Sequence, residues 1–374
     1  MYTIFKKCSS FFGIERLLLN IARYIDVFEE MVLEERSSPE QVVWELTLKC
    51  NLRCIHCGSS AGNSRLNELS TKEALQLCHD LSGINSEKVC FMGGEPFLRK
   101  EWYLLGKEVV DLGMKLLIIS NGFIVNSNVI SKLVSLQPYG FSLSLDGATA
   151  QTHDYIRGVS GSFEKVMESI SLARDANLPT AVITTVNKMN FAELPLIKDF
   201  LLDKNIAWQI QVAAPEGRFP NKLTLSKDEF YSLGLFIASL KNRYSLKDLP
   251  VIGAHCCGYC STYIPKFGVS SNWRGCQAGI SILSVKSNGD VIGCLATPDR
   301  YIEGNIRERS IIEIWNASDA FRYNRKFRRE DLGENCRDCK YGDVCKGGCM
   351  GMSTSLTGKP YNDPYCYYKI EQDF

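Results

Sequence analysis

The chain carries almost no excess charge of either sign, because its 43 basic residues are balanced by 42 acidic ones. A dedicated nucleic-acid binder usually carries a basic excess, so this balance argues against that class. The sequence also lacks an apolar run of the roughly 18 residues that a membrane span needs, and its start has no signal-peptide pattern. We therefore expect a cytoplasmic protein with no membrane span and no nucleic-acid partner. The apolar residues between Ile14 and Val32 recur at helical spacing and predict a docked N-terminal helix.

Cysteine, in contrast, is abundant and unevenly placed. Most of the 16 cysteines lie in three stretches, at 50–57, 256–276 and 336–366. A chain of 374 residues can build a core without disulfide staples. Clustered pairs with two residues between them are typical of metal sites in intracellular proteins, so we interpret these cysteines as metal ligands.

The first stretch has the spacing C-x3-C-x2-C, formed by Cys50, Cys54 and Cys57. It follows an apolar run, 42–48, that predicts a strand. Three thiolates this close can hold three irons of a [4Fe–4S] cluster and leave the fourth iron without a protein ligand, whereas electron-transfer clusters usually have four cysteines. Zinc is the alternative, but it needs a fourth donor, and His56 lies too close in sequence to complete the same tetrahedron easily.

A second motif, Gly93-Gly94-Glu95-Pro96, follows another apparent strand, 88–92. At this point the chain resembles the radical S-adenosylmethionine (SAM) enzymes, in which a C-x3-C-x-aromatic-C loop holds the cluster. His56 fills the aromatic position. The resemblance implies that the glycines bring backbone close to SAM and that Glu95 accepts a charge-assisted hydrogen bond from its ammonium group.

Strands and helices alternate over the first two thirds of the chain, which predicts parallel βα units. Ser70-Thr71-Lys72-Glu73 predicts a capped helix start, and 284–292 predicts a hairpin with an Asn-Gly turn at Gly289. Periodicity alone leaves a barrel and an open sheet as alternatives. The resemblance implies an α/β fold with a partial (β/α)6 barrel. Active sites of parallel barrels lie at the carboxyl ends of the strands. The polar residues at these predicted ends are Cys50, Glu95, Asn121, Asp146, Asn187 and Gln211.

The resemblance also implies further SAM contacts. Ser120 and Asn121 would approach SAM from the third strand, and Ser144 would reach its ribose from the fourth. Arg157 would meet the SAM carboxylate, although an ordinary surface ion pair is the alternative for this residue. Gln211 would line the same cavity.

The last cysteines form a third pattern, Cys276-x12-Gly289-x4-Cys294, then Cys336-x2-Cys339-x5-Cys345-x3-Cys349, then Cys366. It resembles the SPASM extension of radical SAM enzymes, which carries two auxiliary [4Fe–4S] clusters. The resemblance implies an inner cluster on Cys276, Cys294 and Cys349, and an outer one on Cys336, Cys339, Cys345 and Cys366. Cys256, Cys257 and Cys260 compete for the fourth inner position, and an open inner cluster or a pair of zinc ribbons is the alternative.

These patterns predict an N-terminal helical segment (1–40), a radical SAM barrel (41–240) and a SPASM domain (241–374). The resemblance implies reductive cleavage of SAM and hydrogen abstraction from a peptide, giving a crosslink, thioether, epimer or oxidised residue. The expected partners are a precursor peptide, a reductant such as flavodoxin or ferredoxin, and a separate leader-recognition protein. The alternatives are a dehydrogenase or mutase of a small metabolite and a non-enzymatic electron carrier.

Overall fold

The computed structural model describes residues 38–264 and 273–373. The predicted N-terminal helix lies outside the described residues. None of the described helices is long and apolar enough to cross a bilayer.

The described strands form one sheet in the order β10-β9-β8-β1-β2-β3-β4-β5-β6-β7. All neighbouring pairs from β8 to β7 are parallel, whereas β9 runs antiparallel to both β8 and β10. The strands are β1 (Gln41–Thr47), β2 (Lys88–Gly93), β3 (Lys115–Ser120), β4 (Gly140–Ser144), β5 (Thr180–Val186), β6 (Ala207–Val212), β7 (Val251–Gly253), β8 (Ile282–Val285), β9 (Asp290–Ile292) and β10 (Ile302–Asn305). The sheet is therefore a partial barrel with β10 and β7 at its edges, and the six strands expected from the sequence are β1 to β6.

Helices connect the parallel strands and cover the sheet. They are α1 (Thr71–Gly83), α2 (Trp102–Asp111), α3 (Ser127–Leu136), α4 (Ala150–Arg157), α5 (Ser162–Asp175), α6 (Leu194–Leu201), α7 (Lys227–Arg243), α8 (Ile311–Asn316), α9 (Arg322–Arg325), α10 (Gly342–Cys345), α11 (Met350–Thr357) and α12 (Tyr367–Gln372). Helix α1 begins at the capping box predicted from the sequence, in which Ser70 and Glu73 each accept from the other's backbone N–H. Helices α4, α7 and α8 to α12 were not expected from the sequence.

The C-terminal hairpin extends the barrel sheet. Strands β8 and β9 meet at the predicted Asn-Gly turn, where Gly289 has a φ of 92° and donates from its backbone N–H to the carbonyl of Lys286. Strand β8 also pairs with β1, and β7 pairs with β6. One sheet thus runs across the predicted boundary at 240–241, and the domain limits stay a prediction.

Buried aromatic pairs stabilise the barrel and its contact with the C-terminus. Within the barrel, Trp44 of β1 and Phe91 of β2 make an edge-on contact with ring centroids 5.5 Å apart. Tyr367 of α12 stacks on Phe230 of α7 with centroids 4.6 Å apart. Both pairs are fully buried. The apolar area that the second pair removes from water helps to fix the cysteine-rich C-terminus against the barrel.

Candidate active site

The loop after β1 presents three thiols, and each receives hydrogen bonds from N–H donors. Cys50 Sγ accepts from the backbone N–H of Leu52 at 3.4 Å and from Asn121 Nδ2 at 3.7 Å. Cys57 Sγ accepts from the backbone N–H of Ala61 at 3.3 Å. Arg157 Nη1 lies 3.8 Å from Cys54 Sγ. Such donors stabilise ligating thiolates and orient them.

Backbone contacts fix the path of this loop. The N–H groups of Arg53 and Ile55 donate to the carbonyls of Arg157 and Ile156 at the end of α4, at 3.1 and 2.8 Å. The loop is therefore held by the helix that follows β4, and α4 is part of the site although the sequence did not predict it.

The Gly93-Gly94 pair packs against the backbone that leads into the cysteine loop. A Cβ on Gly94 would lie 2.2 Å from the carbonyl oxygen of Lys49 and 2.5 Å from that of Leu48. Gly93 has a φ of 134°, in the region that favours glycine. Glycine is therefore required at both positions by the structure, because the end of β2 closely approaches the segment before Cys50.

Glu95 lies fully buried between the ends of β2 and β3. Its carboxylate accepts from the Ser120 hydroxyl at 2.9 Å and from the backbone N–H groups of Asn121 and Phe97 at 2.8 and 3.3 Å. Burial raises the pKa of Glu95 to about 7, even though these donors act in the opposite direction. The side chain of Asn121 donates to Asn51 Oδ1 and Cys50 Sγ, so Asn121 connects the hydrogen bonds of Glu95 to the first thiol of the loop.

Asp146, at the end of β4, joins two side chains beside the cysteine loop. Its Oδ2 lies 2.6 Å from Arg157 Nη2 and 3.3 Å from His56 Nε2, and its Oδ1 accepts from the backbone N–H of Thr185. Burial alone would raise the pKa of Asp146, but Arg157 and His56 bring it below its ordinary value. Burial lowers the pKa of His56 to about 4, so the imidazole is neutral. His56 therefore faces this carboxylate.

The remaining predicted SAM contacts lie on neighbouring strands. Ser144 is the last residue of β4. Gln211 lies near the end of β6 and donates from Nε2 to Thr185 Oγ1 at 2.9 Å. Together with Ser120, Asn121 and Arg157 they surround the same end of the sheet, but their contact with SAM stays a prediction.

Arg218, which the sequence analysis missed, fastens the cysteine loop from the opposite side. Its backbone N–H donates to the carbonyl of Cys57 at 3.1 Å. Its guanidinium donates to the carbonyls of Cys54 and Ala61 at 3.0 and 2.8 Å. An isolated arginine in a loop carries no local pattern that distinguishes it from a surface arginine, so no sequence signal marked it.

The C-terminal thiols raise one another's pKa within two sets. Burial raises the pKa of Cys349, and the nearby thiols of Cys276 and Cys294 raise it further. In the same way Cys339 contributes to the raised pKa of Cys336, and Cys336 to that of Cys366. These neighbours agree with the predicted inner and outer groups, and the ligation of clusters by each group stays a prediction.

Of the three upstream cysteines, Cys260 lies with the outer group. Its thiol hydrogen-bonds with that of Cys345, which lowers the pKa of Cys260 and raises that of Cys345. Cys257 is fully buried and donates to the carbonyl of Ile210 at 3.2 Å. Cys256 Sγ accepts from the backbone N–H of Val212 at 3.1 Å, where β6 ends. Of the three candidates for the fourth ligand of the inner cluster, Cys256 is therefore favoured. Its ligation of the cluster stays a prediction.

A tyrosine–aspartate pair lies between the two cysteine groups. The Tyr259 hydroxyl donates to Asp363 Oδ2 at 3.0 Å and accepts from the backbone N–H of Cys349 at 2.7 Å. Burial raises the pKa of Asp363 to about 7. The pair links the inner group to the segment that leads to Cys366.

A cavity of about 310 Å³ opens between the cysteine loop and the C-terminal hairpin. It is lined by Gly58, next to Cys57, and by Leu295, next to Cys294. Its other lining residues are mainly polar or charged: Glu45, Ser59, Arg65, Glu216, Lys286, Thr297, Pro298 and Asp299. A molecule in this cavity would therefore contact a neighbour of the first cysteine group and a neighbour of the inner one.

Comparison with known proteins agrees with this arrangement. Residues 44–201 match the model of the radical SAM superfamily, and residues 276–340 match the SPASM iron–sulfur cluster-binding domain. The chain is 30% identical to an AdoMet-dependent heme synthase of Oleidesulfovibrio alaskensis, covering 88% of this chain and 87% of that one. It is 28% identical to the mycofactocin maturase MftC of Mycobacterium tuberculosis, covering 92% and 86%.

The fold is also that of a solved relative. The structure of Streptococcus suis SuiB bound to S-adenosylmethionine superposes with a TM-score of 0.69 at 17% identity, covering 89% of this chain and 76% of that one. This similarity concerns the fold. The two domain matches establish that the cofactors are a [4Fe–4S] cluster, SAM and auxiliary iron–sulfur clusters.

The residues present fit these groups. Cys50, Cys54 and Cys57 receive N–H donors, as ligating thiolates do, and burial raises the pKa of Cys50 to about 11, so iron binding must displace its proton. Within 38–264 and 273–373, no three His, Cys, Asp or Glu side chains converge tightly enough to hold a single metal ion.

Proposed function

From the premise that this chain belongs to the radical SAM superfamily and is an enzyme with a SPASM domain, we propose that it abstracts a hydrogen atom from a peptide held in the cavity. The observation that carries this proposal is the position of the cavity between Gly58 and Leu295. A substrate there would lie within reach of both the site of radical formation and an auxiliary cluster that accepts or relays an electron.

When bound, the cluster and SAM supply the electron and the 5′-deoxyadenosyl group that remove a hydrogen atom from carbon. The protein holds the cluster and SAM in position. Cys50, Cys54 and Cys57 would hold the cluster, and Arg218 and the end of α4 keep their loop in place. Glu95, in its carboxylate form, would orient the SAM ammonium group beside that loop.

The peptide substrate is supported by the similarity to MftC, whose name describes a maturase. A leader-recognition protein and a flavodoxin or ferredoxin reductant belong to the same proposal. An iron tetrapyrrole is the second candidate substrate, because relatives that match most of the chain at 29–30% identity are heme synthases.

The test uses the anaerobically reconstituted protein with SAM and dithionite. We expect formation of 5′-deoxyadenosine, its loss in the Cys54→Ala variant, and retention in the Cys78→Ala variant, which removes a buried thiol on α1 far from the cysteine loop in sequence. No 5′-deoxyadenosine from the wild-type protein would contradict the enzymatic proposal.

The substrate is tested separately. Candidate precursor peptides co-expressed with the enzyme should show a mass loss of two hydrogens for a new crosslink. If 5′-deoxyadenosine formation rises with Fe-coproporphyrin III and with none of the peptides, the tetrapyrrole candidate replaces the peptide.

A further inference from the structure

Lys286 and Asp299, which both line the cavity beside the cysteine loop, form an ion pair whose two partners differ in burial. Lys286, at the end of β8, is buried, with 5% of its surface exposed. Its ammonium group pairs with the carboxylate of Asp299, whose side chain is 76% exposed. Among the described residues, Lys286 forms an ion pair with Asp299 alone. A buried ammonium group without a counter-ion is strongly disfavoured, so Lys286 needs an anion at this position.

The other charges that line the cavity are already engaged. Glu45 Oε1 and Oε2 accept from Arg65 at 2.6 and 2.9 Å, in a two-pronged ion pair. Glu45 also accepts from the hydroxyl and backbone N–H of Ser287 at 2.8 and 3.2 Å. Glu216 accepts from the Ser355 hydroxyl at 3.1 Å. Arg65 is therefore fixed by a carboxylate that is 1% exposed, whereas Lys286 is held by one that solvent reaches.

This difference decides which partner an entering molecule can replace. Separating Arg65 from Glu45 would leave a buried carboxylate without its cation. Asp299, in contrast, is already largely hydrated, because its side chain is 76% exposed, so it can turn into water at little cost once another carboxylate pairs with Lys286. A carboxylate entering the cavity would keep Lys286 paired throughout the exchange.

We propose that Lys286 binds a carboxylate of the substrate and that Asp299 occupies this position only while the cavity is empty of substrate. The inference deepens the proposed function and rests on it, because it assigns the substrate's anchoring group at the same cavity. The carboxylate can belong to the C-terminus of a peptide or to the propionate of a tetrapyrrole. Lys286 follows β8 and Leu295 follows Cys294, so the anchored end would lie on the side of the inner cysteine group.

Binding without reductant tests this separately from catalysis. The probes are a decapeptide library without Asp and Glu, prepared as free acids and as C-terminal amides, and Fe-coproporphyrin III beside its methyl ester. The protein is the reconstituted holoenzyme with SAM. We expect at least one free acid to bind about tenfold or more tighter than its amide or ester. If the peptides show this preference, the carboxylate is the C-terminus of a peptide. If Fe-coproporphyrin III shows it, the carboxylate is a propionate.

Variants then assign the preference to Lys286. In Lys286→Met the free acid and its neutral form should bind within about twofold of each other, whereas Lys286→Arg should retain most of the preference. Asp299→Asn should strengthen binding of the free acid about two- to fivefold, because it removes the competing anion. Lys107→Met, which removes an exposed lysine of α2 paired with Asp111, is the control and should leave binding unchanged.

Two results would contradict binding of a carboxylate by Lys286. One is that the wild-type protein binds none of the acids, or binds each acid and its neutral form equally well. The other is a preference for the acid that survives in Lys286→Met. Because Asp299→Asn alters an exposed side chain, it tests the exchange even if Lys286→Met folds poorly, and unchanged binding in it would contradict the displacement. Formation of 5′-deoxyadenosine measures the proposed function independently of all these outcomes.

Discussion

Arg157 Nη2 lies 2.6 Å from Asp146 Oδ2, and both side chains are buried at the end of the sheet that carries the cysteine loop. The same arginine approaches Cys54 Sγ with its other terminal nitrogen, and its backbone carbonyl accepts from Arg53. The pair therefore joins the ends of β4 and α4 to the cysteine loop. Arg157 is thus a buried ion-pair partner, and the surface ion pair considered from the sequence does not occur.

Replacing Asp146 with Asn should destabilise the protein. The substitution removes the carboxylate and leaves Arg157 buried without its counter-ion, a change that costs about 3 kcal/mol or more in free energy of unfolding. Urea denaturation measures it. Asp175→Asn, which breaks an exposed pair with Arg174, should change stability far less than Asp146→Asn, because solvent screens this pair. Equal effects of the two variants would contradict a structural role for Asp146.

Binding of SAM should weaken as the pH falls through about 7. Burial raises the pKa of Glu95 to about 7, and only its carboxylate form gives a charge-assisted hydrogen bond with the SAM ammonium group. At one pH unit below this pKa about nine tenths of the group is protonated, so affinity should fall about tenfold between pH 8 and pH 6. Equilibrium binding of SAM to the reconstituted protein measures this.

The control for that experiment is Glu95→Gln, which cannot titrate and should bind SAM weakly with little pH dependence. A wild-type affinity that is constant from pH 6 to 8, or an equal slope in Glu95→Gln, would remove Glu95 from the SAM site.

Gly94→Ala should prevent assembly of the first cluster. The added methyl group would lie 2.2 Å from the carbonyl oxygen of Lys49, which is backbone, so the segment leading to Cys50 must move. We expect loss of the iron bound at the first site with the auxiliary iron retained, measured by iron content and Mössbauer spectra. Gly83→Ala, whose methyl group would meet only Ile312 at 4.0 Å, should retain all its iron. Full iron content in Gly94→Ala would show that the loop tolerates the shift.

Substitutions of the three upstream cysteines should have three different results. Cys260→Ser should perturb the outer cluster, because its thiol contacts Cys345. Cys256→Ser should perturb the inner cluster. Cys257→Ala should leave both clusters intact, because the Cys257 thiol is buried against the Ile210 carbonyl. Redox titration followed by electron paramagnetic resonance distinguishes the clusters. Loss of iron in Cys257→Ala would contradict the assignment of Cys256, and not Cys257, to the inner cluster.

Patterns within short stretches of sequence predicted much of this protein. The six parallel strands, the capping box at Ser70 and the turn at Gly289 all depend on residues that are close in the chain, and the structure confirms them. Helix α4 was missed because its eight residues, Ala150–Arg157, are mostly polar and give only a short amphipathic pattern.

The sequence by itself determined the iron-binding chemistry, because thiol spacing within eight residues decides which cluster a loop can hold. Only the tertiary structure decided that Asp146 holds Arg157 and His56, that Cys260 lies with Cys345, and that Lys286 meets an exposed Asp299 in the cavity. These contacts join residues from different elements. Their partners are set by how the strands and loops pack, and a charge becomes informative only when its burial and its neighbours are known.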